Sequence, residues 1–270
     1  MKKNIAKITY SELAAVVGVS EEELRSTQKE TYKMYFKKSI PKKNGDKRVI
    51  YSLCKKLKII QQQLLHKVLY KLPTNECLYA GKNSSTKKTM RLHLSKKKLI
   101  CMDIENFFPS IKSNIIFSLL KDYGFNTEVS NAITRLTTHK KCLPQGAPTS
   151  TQLAKLVMNA PAKHIKNLFN FPVDITVWVD DLIISGPNSI ENFIPSIQAI
   201  LYRFGLKIND RKTLIMTSKD EQSALGIRVD GNKIRPDSDF MERFTNVFRD
   251  EPHNMKKIRS MKAYIKYVVS

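Results

Sequence analysis

Residues 175–185 read ITVWVDDLIIS, two apolar runs that meet at a pair of aspartates. A solvent-facing turn rarely needs nonpolar flanks this long. The stretch is therefore expected to be a β-hairpin with Asp180 and Asp181 at its tip. Taken alone, the pair also suits a plain polar turn, where Asp is common. Upstream, LICMDI (99–104) reads as a short apolar strand ending on Asp103. A solvated strand end or helix cap is the competing reading of that residue by itself. If the two strands lie side by side, three carboxylates converge at one sheet edge. Like charges repel there, and a divalent cation resolves the conflict. Mg²⁺ prefers one or two carboxylates plus substrate oxygens, and two ions about 3.5–4 Å apart can activate a hydroxyl and stabilise a leaving group.

Outward from this centre, apolar spacing predicts helices over 112–122, 126–138, 148–168 and 189–204. Two short strands are expected around Asn209-Asp210, then a hairpin turning at Asp230-Gly231, then amphipathic segments at 238–249 and 254–269. Toward the N-terminus, IPKKNGDKRVIY (40–51) reads as two strands joined at Asn44-Gly45, followed by a helix carrying Leu57, Ile60, Leu64 and Leu65. Residues 11–25 predict two short helices around Gly18, the second opened by a Ser20/Glu23 capping box. The alternation gives an α+β fold with one antiparallel sheet of the split βαβ kind.

The 270 residues hold 47 Lys+Arg against 24 Asp+Glu, a net charge of +23. A field of that sign attracts a polyanion, nucleic acid first and an anionic membrane surface second. Neither a run long enough to span a bilayer nor a secretory leader is evident, so no membrane partner is expected. Cys54, Cys77, Cys101 and Cys142 are scattered, which argues against a zinc site or a disulfide framework and suits a reducing cytoplasm.

Four strings occur in order: DIENFFPSI (103–111), LPQGAPTS (143–150), WVDDL (178–182) and GLKINDRKT (205–213). They resemble motifs A, B, C and D of reverse transcriptases, and IPKKNGDKR with LKIIQ (57–61) resembles the fingers of the retron type. The resemblance implies a right-hand polymerase with a split βαβ palm, mixed fingers and a short helical thumb. Its expected divisions are an N-terminal helical segment at 1–30, fingers at 31–97, palm at 98–229 with part of the fingers inserted, and thumb at 230–270. It implies an RNA-directed DNA polymerase using two Mg²⁺ ions, with Mn²⁺ as a substitute. Asp103 and Asp180 would ligate both ions, Asp181 would be a further or structural ligand, and the Ile104 carbonyl would complete one shell. Lys212 would be the general acid for pyrophosphate; a solvated surface lysine is the alternative.

For the incoming dNTP the resemblance implies Lys42, Lys43 and Arg48 on the triphosphate, Phe108 as the gate against a ribose 2′-OH, and Gln145 and Gly146 beneath the nucleotide. Core packing is the alternative for Phe107-Phe108, and a helix start capped by Thr149 or Ser150 for the Pro/Gly loop. RNA contacts are expected from Lys87, Lys88, Arg91, His93, Lys96, Lys97 and Lys98. A packed or solvated histidine is equally compatible with His93. Expected partners are a structured non-coding RNA serving as template and primer, the cDNA product, dNTPs and a toxic effector protein of a defence system.

The sequence departs from the usual motifs in three places, the last two of them signatures of the retron type. Trp178 replaces the usual Tyr of the metal hairpin. Of the Asn-Ala-x-x-His signature only His93 remains, and Ala224-Leu225-Gly226 stands where Val-Thr-Gly is usual. Three alternatives stand beside this reading on the sequence: a non-retron defence-associated reverse transcriptase, a non-catalytic RNA-binding relative, and a DNA-binding regulator using LAAVVGVSEEEL (13–24) as a helix-turn-helix.

Overall fold

The computed structural model describes residues 5–41, 45, 47–79 and 84–270. Helices α1 (Tyr10–Val17) and α2 (Glu21–Glu30) come first, then the ribbon β1 (Tyr35–Pro41) and β2 (Lys47–Leu53), then α3 (Lys55–Lys67), α4 (Thr86–Arg91) and β3 (Lys98–Asp103). A helical stretch follows: α5 (Phe107–Ser110), α6 (Ser113–Asp122), α7 (Thr127–Thr137), α8 (Ser150–Val157) and α9 (Asn159–Lys166). Next come β4 (Asp174–Trp178), β5 (Asp181–Gly186), α10 (Ile194–Arg203) and β6 (Leu214–Thr217). Strands β7 (Ser223–Ala224), β8 (Ile227–Asp230) and β9 (Lys233–Pro236), then helices α11 (Ser238–Asp250) and α12 (Met255–Val269), close the chain. The α+β class expected from the alternation is the one observed.

Local chemistry accounts for most boundaries and for several departures. The reciprocal capping box closes on Thr9 and Glu12 at the start of α1, whereas Ser20 supplies only its half, accepting from the Glu23 amide. The single helix expected over 148–168 is two. Pro161 has no amide to offer the Val157 carbonyl, and the ladder resumes with Ala162 donating to Met158. Near Asn209 one short strand forms, not two. Residues 210–212 wind into a 3₁₀ turn, and Ile208 makes a single bridge to Ile104.

The chain divides into two compact units. The first holds residues through 78, 105–163 and 203–206. In it the α1 and α2 side chains Leu13, Val17 and Leu24 are fully or almost fully buried. Arg25 reaches Glu128 of α7 at 2.8 Å. The segment read as a helix-turn-helix thus contributes core to this unit. The two-stranded ribbon β1–β2 is antiparallel, with Ile40 opposite Arg48.

The second unit holds 79–104, 164–202 and 207–270. Its central sheet is antiparallel, in the order β4-β5-β3-β6. A smaller sheet, β7-β8-β9, shares a core with it: Leu99, Ile183 and Met216 pack with Met90, Ile227, Ile234 and Val268 of α12. The boundary expected at 229/230 falls inside the β8–β9 hairpin, where Val229 pairs with Ile234. Among the described residues no helix is long and apolar enough to cross a membrane.

His93 belongs to this second core. It is fully buried, and its ring nitrogens lie 2.7 Å from Ser185 Oγ on β5 and 2.8 Å from Thr176 Oγ1 on β4. The expectation that it contacts RNA is corrected: the imidazole is spent on pinning two strands. Burial, with Lys96 adding to it against Asp174, lowers its pKa to about 4, so it is neutral in the folded chain. The unfolded chain, with an ordinary histidine near 6.5, takes up a proton first as pH falls. This contribution is complete above pH ~6.5 and lost as pH falls toward ~4. His93→Leu should leave two hydroxyls unpaired and lower the unfolding free energy by about 2–4 kcal/mol. Urea unfolding from pH 7 to 4.5 should show the variant losing less stability over that range than the parent chain.

Candidate active site

The register of β3 against β5 sets Asp103 directly opposite Asp181. Successive strand residues alternate faces, so Leu99, Cys101 and Asp103 share a face with Ser185, Ile183 and Asp181. The carboxylates therefore stand at the end of an apolar face. Asp180 occupies the two-residue tip with Val179. Its carbonyl accepts from the Ile104 amide at 2.9 Å, and the Asp103 carbonyl accepts from Asn209 at 2.8 Å. These bonds tie the hairpin tip and the 208–213 segment to the end of β3. Asn209 emerges as a positioning residue; its place in GLKINDRKT was the available signal.

Val179 has φ 58°, the left-handed region that a two-residue hairpin demands at its first loop position and that glycine supplies freely. A β-branched residue held there costs about 1–3 kcal/mol and persists only where its surroundings enforce it. Here the enforcing contacts are the paired strands on either side of the tip.

The electrostatics follow from this placement. Burial, then the charges of Asp180 and Asp103, push the Asp181 carboxyl up to about 7, against the pull of Lys212. Burial and Asp181 push the Cys101 thiol beneath it up to about 12, which leaves the thiol neutral and unreactive. Lys212 Nζ lies 3.0 Å from Asp103 Oδ1 with the lysine side chain 61% exposed. A pair that open contributes under about 1 kcal/mol and exchanges readily for another cation.

The groups able to hold a metal are the carboxylates of Asp103, Asp180 and Asp181. Among the described residues no three His, Cys, Asp or Glu side chains form a ready-made cage. The site fits the other mode, in which one or two carboxylates and substrate oxygens share the ion. The raised Asp181 and the lysine resting on Asp103 both mark an edge short of positive charge.

The remaining expected residues fall as follows. Ile104 lies with the carboxylates, its side chain buried. Arg48, Phe108, Gln145 and Gly146 belong to the first unit. Arg48 is exposed on β2. The Gln145 carbonyl accepts from Tyr51 of the same strand at 2.8 Å. Gly146 has φ 99°, and a Cβ there would stand 3.0 Å from the Tyr51 carbonyl, so close approach to β2 demands glycine. Thr149 takes the helix N-cap position without a capping bond and donates instead to Gln61 at 3.1 Å. Phe107 and Phe108 are both buried, Phe108 the more accessible at 9% against 3%. Lys42 and Lys43 lie outside the described residues.

Of the expected RNA contacts, Lys98 is a second correction. It is buried and ion-paired with Glu191, since a buried ammonium needs a partner. Lys96 pairs with Asp174 at 2.5 Å, and Lys87 donates to the Tyr267 carbonyl at 2.9 Å. Lys88, Arg91 and Lys97 are exposed.

Comparison with known proteins bears on this geometry. The family described as "Reverse transcriptase (RNA-dependent DNA polymerase)" matches residues 40–229. The Escherichia coli retron Ec86 reverse transcriptase is 28% identical over 75% of this chain and 64% of its own length. The Escherichia coli retron Ec48 enzyme is 27% identical over 94% and 66%. The retron Se72 enzyme of Salmonella heidelberg is 26% identical over 80% and 59%. The chain thus spans less than two thirds of these relatives. Among solved structures, telomerase from Candida albicans in complex with a fragment of telomeric RNA matches 76% of this chain and 46% of its own, with TM-score 0.56 and 12% identity. That likeness shows the fold, the right-hand polymerase class expected from the motifs. With the carboxylates of strings A and C meeting at one sheet edge and the family matched across most of its length, the chain belongs to the reverse transcriptases, and its curated relatives are of the retron type.

Proposed function

We propose that this chain is an RNA-directed DNA polymerase that copies a dedicated structured non-coding RNA into single-stranded DNA, as part of a retron defence system. The observation that carries the reading is the pairing of Asp103 with Asp181 beside the Asp180 tip, with Lys212 on Asp103. The net charge of +23 supports an RNA partner, and the retron relatives support the template class.

In this reading Asp103 and Asp180 hold two Mg²⁺ ions, with Asp181 beside them and the Ile104 carbonyl completing one shell. Bound there, the ions supply activation of the primer hydroxyl and neutralisation of the pyrophosphate. The chain's own side chains do the rest. Arg48, with Lys42 and Lys43, binds the triphosphate, the guanidinium in a bidentate manner. Gln145 and Gly146 lie under the base, Phe108 excludes a ribose 2′-OH, and Lys212 carries a proton for the departing pyrophosphate. A toxic effector protein is the further partner in this reading.

Asp180→Asn should abolish dNTP incorporation on the native RNA, a loss beyond about 10³-fold, while RNA affinity stays within about twofold. Primer extension and gel shift on the same preparations check both halves; ordinary incorporation by the variant would refute the metal assignment. Trp178, the one tryptophan of the sequence, is two residues from Asp180. Its emission should respond saturably to Mg²⁺ in the parent chain and lose that response in Asp180→Asn, a readout independent of activity. Phe108→Ala should raise ribonucleotide incorporation relative to dNTPs by about 10–100-fold, measured as the ratio of kcat/KM values. An unchanged ratio would move the gate to another residue.

A further inference from the structure

The loop that carries Gln145 and Gly146 runs from the end of α7 to the start of α8, residues 138–149. Both of its ends are fastened to one side chain, Gln61 of α3. Gln61 is fully buried, and the other inward residues of its helix, Leu57, Ile60, Leu64 and Leu65, are all aliphatic. Packing alone would take leucine or methionine at such a place. An amide that deep needs its hydrogen bonds satisfied within the protein.

Those bonds form a closed, directional set. Gln61 Nε2 donates to the Leu136 carbonyl at 2.7 Å and to the Tyr35 hydroxyl at 2.8 Å. The Tyr35 hydroxyl in turn donates to the same carbonyl at 3.2 Å. Leu136 lies in the last turn of α7, past the reach of the helix's own amides, so the two side chains supply its partners. Gln61 Oε1 accepts from the Thr149 hydroxyl at 3.1 Å. Thr149 is also fully buried, and its hydroxyl goes to Gln61 in place of a helix cap. A carbonyl can only accept, so the amide cannot turn over. Nε2 must face Leu136, which leaves Oε1 for Thr149.

The same frame reaches the middle of the loop by a second route. Lys37, two residues after Tyr35, is opposite Tyr51, so Tyr35 and Tyr51 share a face of the β1–β2 ribbon. Their rings meet edge to face with centroids 6.4 Å apart. The Tyr51 amide is the one that holds the Gln145 carbonyl, and Gly146 lies against the Tyr51 carbonyl. Leu143 of the loop donates to the Ile111 carbonyl at 2.9 Å, just past the short helix that bears Phe108.

We propose that Gln61 is the positioning residue of the nucleotide pocket, fixing where Gln145 and Gly146 stand and hence how the incoming dNTP fits. This role rests on the reading that puts those two residues beneath the nucleotide. Fully buried, Gln61 acts through the loop and not on the substrate. A satisfied polar node holds one arrangement where apolar contacts tolerate several, and a displacement of about 1 Å can cost on the order of 10²-fold in rate.

Two variants of one residue, made in the full chain, test the bond. Thr149→Val keeps the volume and removes the donor; Thr149→Ser keeps the donor and removes a methyl. Thr149→Val should raise the dNTP KM about 5–20-fold in primer extension with kcat within about threefold, since nucleotide binding is what the loop serves. Thr149→Ser should keep the parent KM while lowering the melting temperature. A threonine that only packs gives the opposite order in KM, with Ser the worse. Gln61→Met keeps the length and loses all three bonds, so it should raise KM at least as far, and adding Thr149→Val to it should change KM no further. Should Gln61→Met fail to fold, the Thr149 pair decides alone. Hydrogen exchange gives a readout apart from activity. The Tyr51 amide should exchange several-fold faster in Thr149→Val and at the parent rate in Thr149→Ser. Unchanged Tyr51 exchange in Thr149→Val, or an unchanged KM in a chain that polymerises, overturns the proposal. Faster Tyr51 exchange in a chain that incorporates no dNTP supports the frame around the loop and removes the polymerase reading instead.

Discussion

Asp103 and Asp181 face one another because six residues of β3 pair in register with six of β5. Shifting that register by one residue would turn Asp181 to the opposite face and bring Leu182 or Asp180 into its place. The register is held by burial, since Leu99, Ile100, Met102, Leu182, Ile183 and Ile184 are all within 1% of full burial. The apolar flanks of ITVWVDDLIIS therefore serve electrostatics. They bury Asp181 beside two other acids, and its carboxyl is raised first by that burial and then by the charges of Asp180 and Asp103. Confined negative charge at a sheet edge attracts cations, and Lys212 rests on Asp103 there.

The same face of the sheet continues into a device that keeps the hairpin straight. His93 bonds to Ser185 and Thr176, one hydroxyl from each arm of the hairpin that ends in Asp180. Behind it, Leu99 and Ile183 share a core with the small sheet and α12. The position of the hairpin tip is thus set by a neutral imidazole and by apolar packing from the far end of the sequence. This gives His93 a reason to stand in the chain that needs no RNA.

How much of this was legible in the sequence depends on range. The strand–aspartate–strand pattern and the four ordered strings carried the sheet, the carboxylate cluster and the family, because short continuous apolar runs bounded by acids read as buried strands. His93 and Lys98 were misjudged because burial is a tertiary property. A lysine in a basic run reads as surface until Glu191, distant in sequence, is found beside it. The break at Met158 was legible in Pro161, and a continuous apolar period masked it. The hairpin at 139–142 was invisible, because its turn residues are lysines where Asn or Gly would have announced it.

That last failure has a physical meaning. A sequence whose local preferences agree with its fold is easily read, and disagreement concentrates where something other than stability is being served. Val179 and the Lys140-Lys141 pair are such places, each holding non-glycine residues at positive φ. Val179 lies next to the carboxylates, where a fixed tip angle sets the position of Asp180. Lys140 and Lys141 lie in the other unit, where the tight turn after α7 reverses the chain and His139 and Cys142 hold the turn closed through both backbone hydrogen bonds.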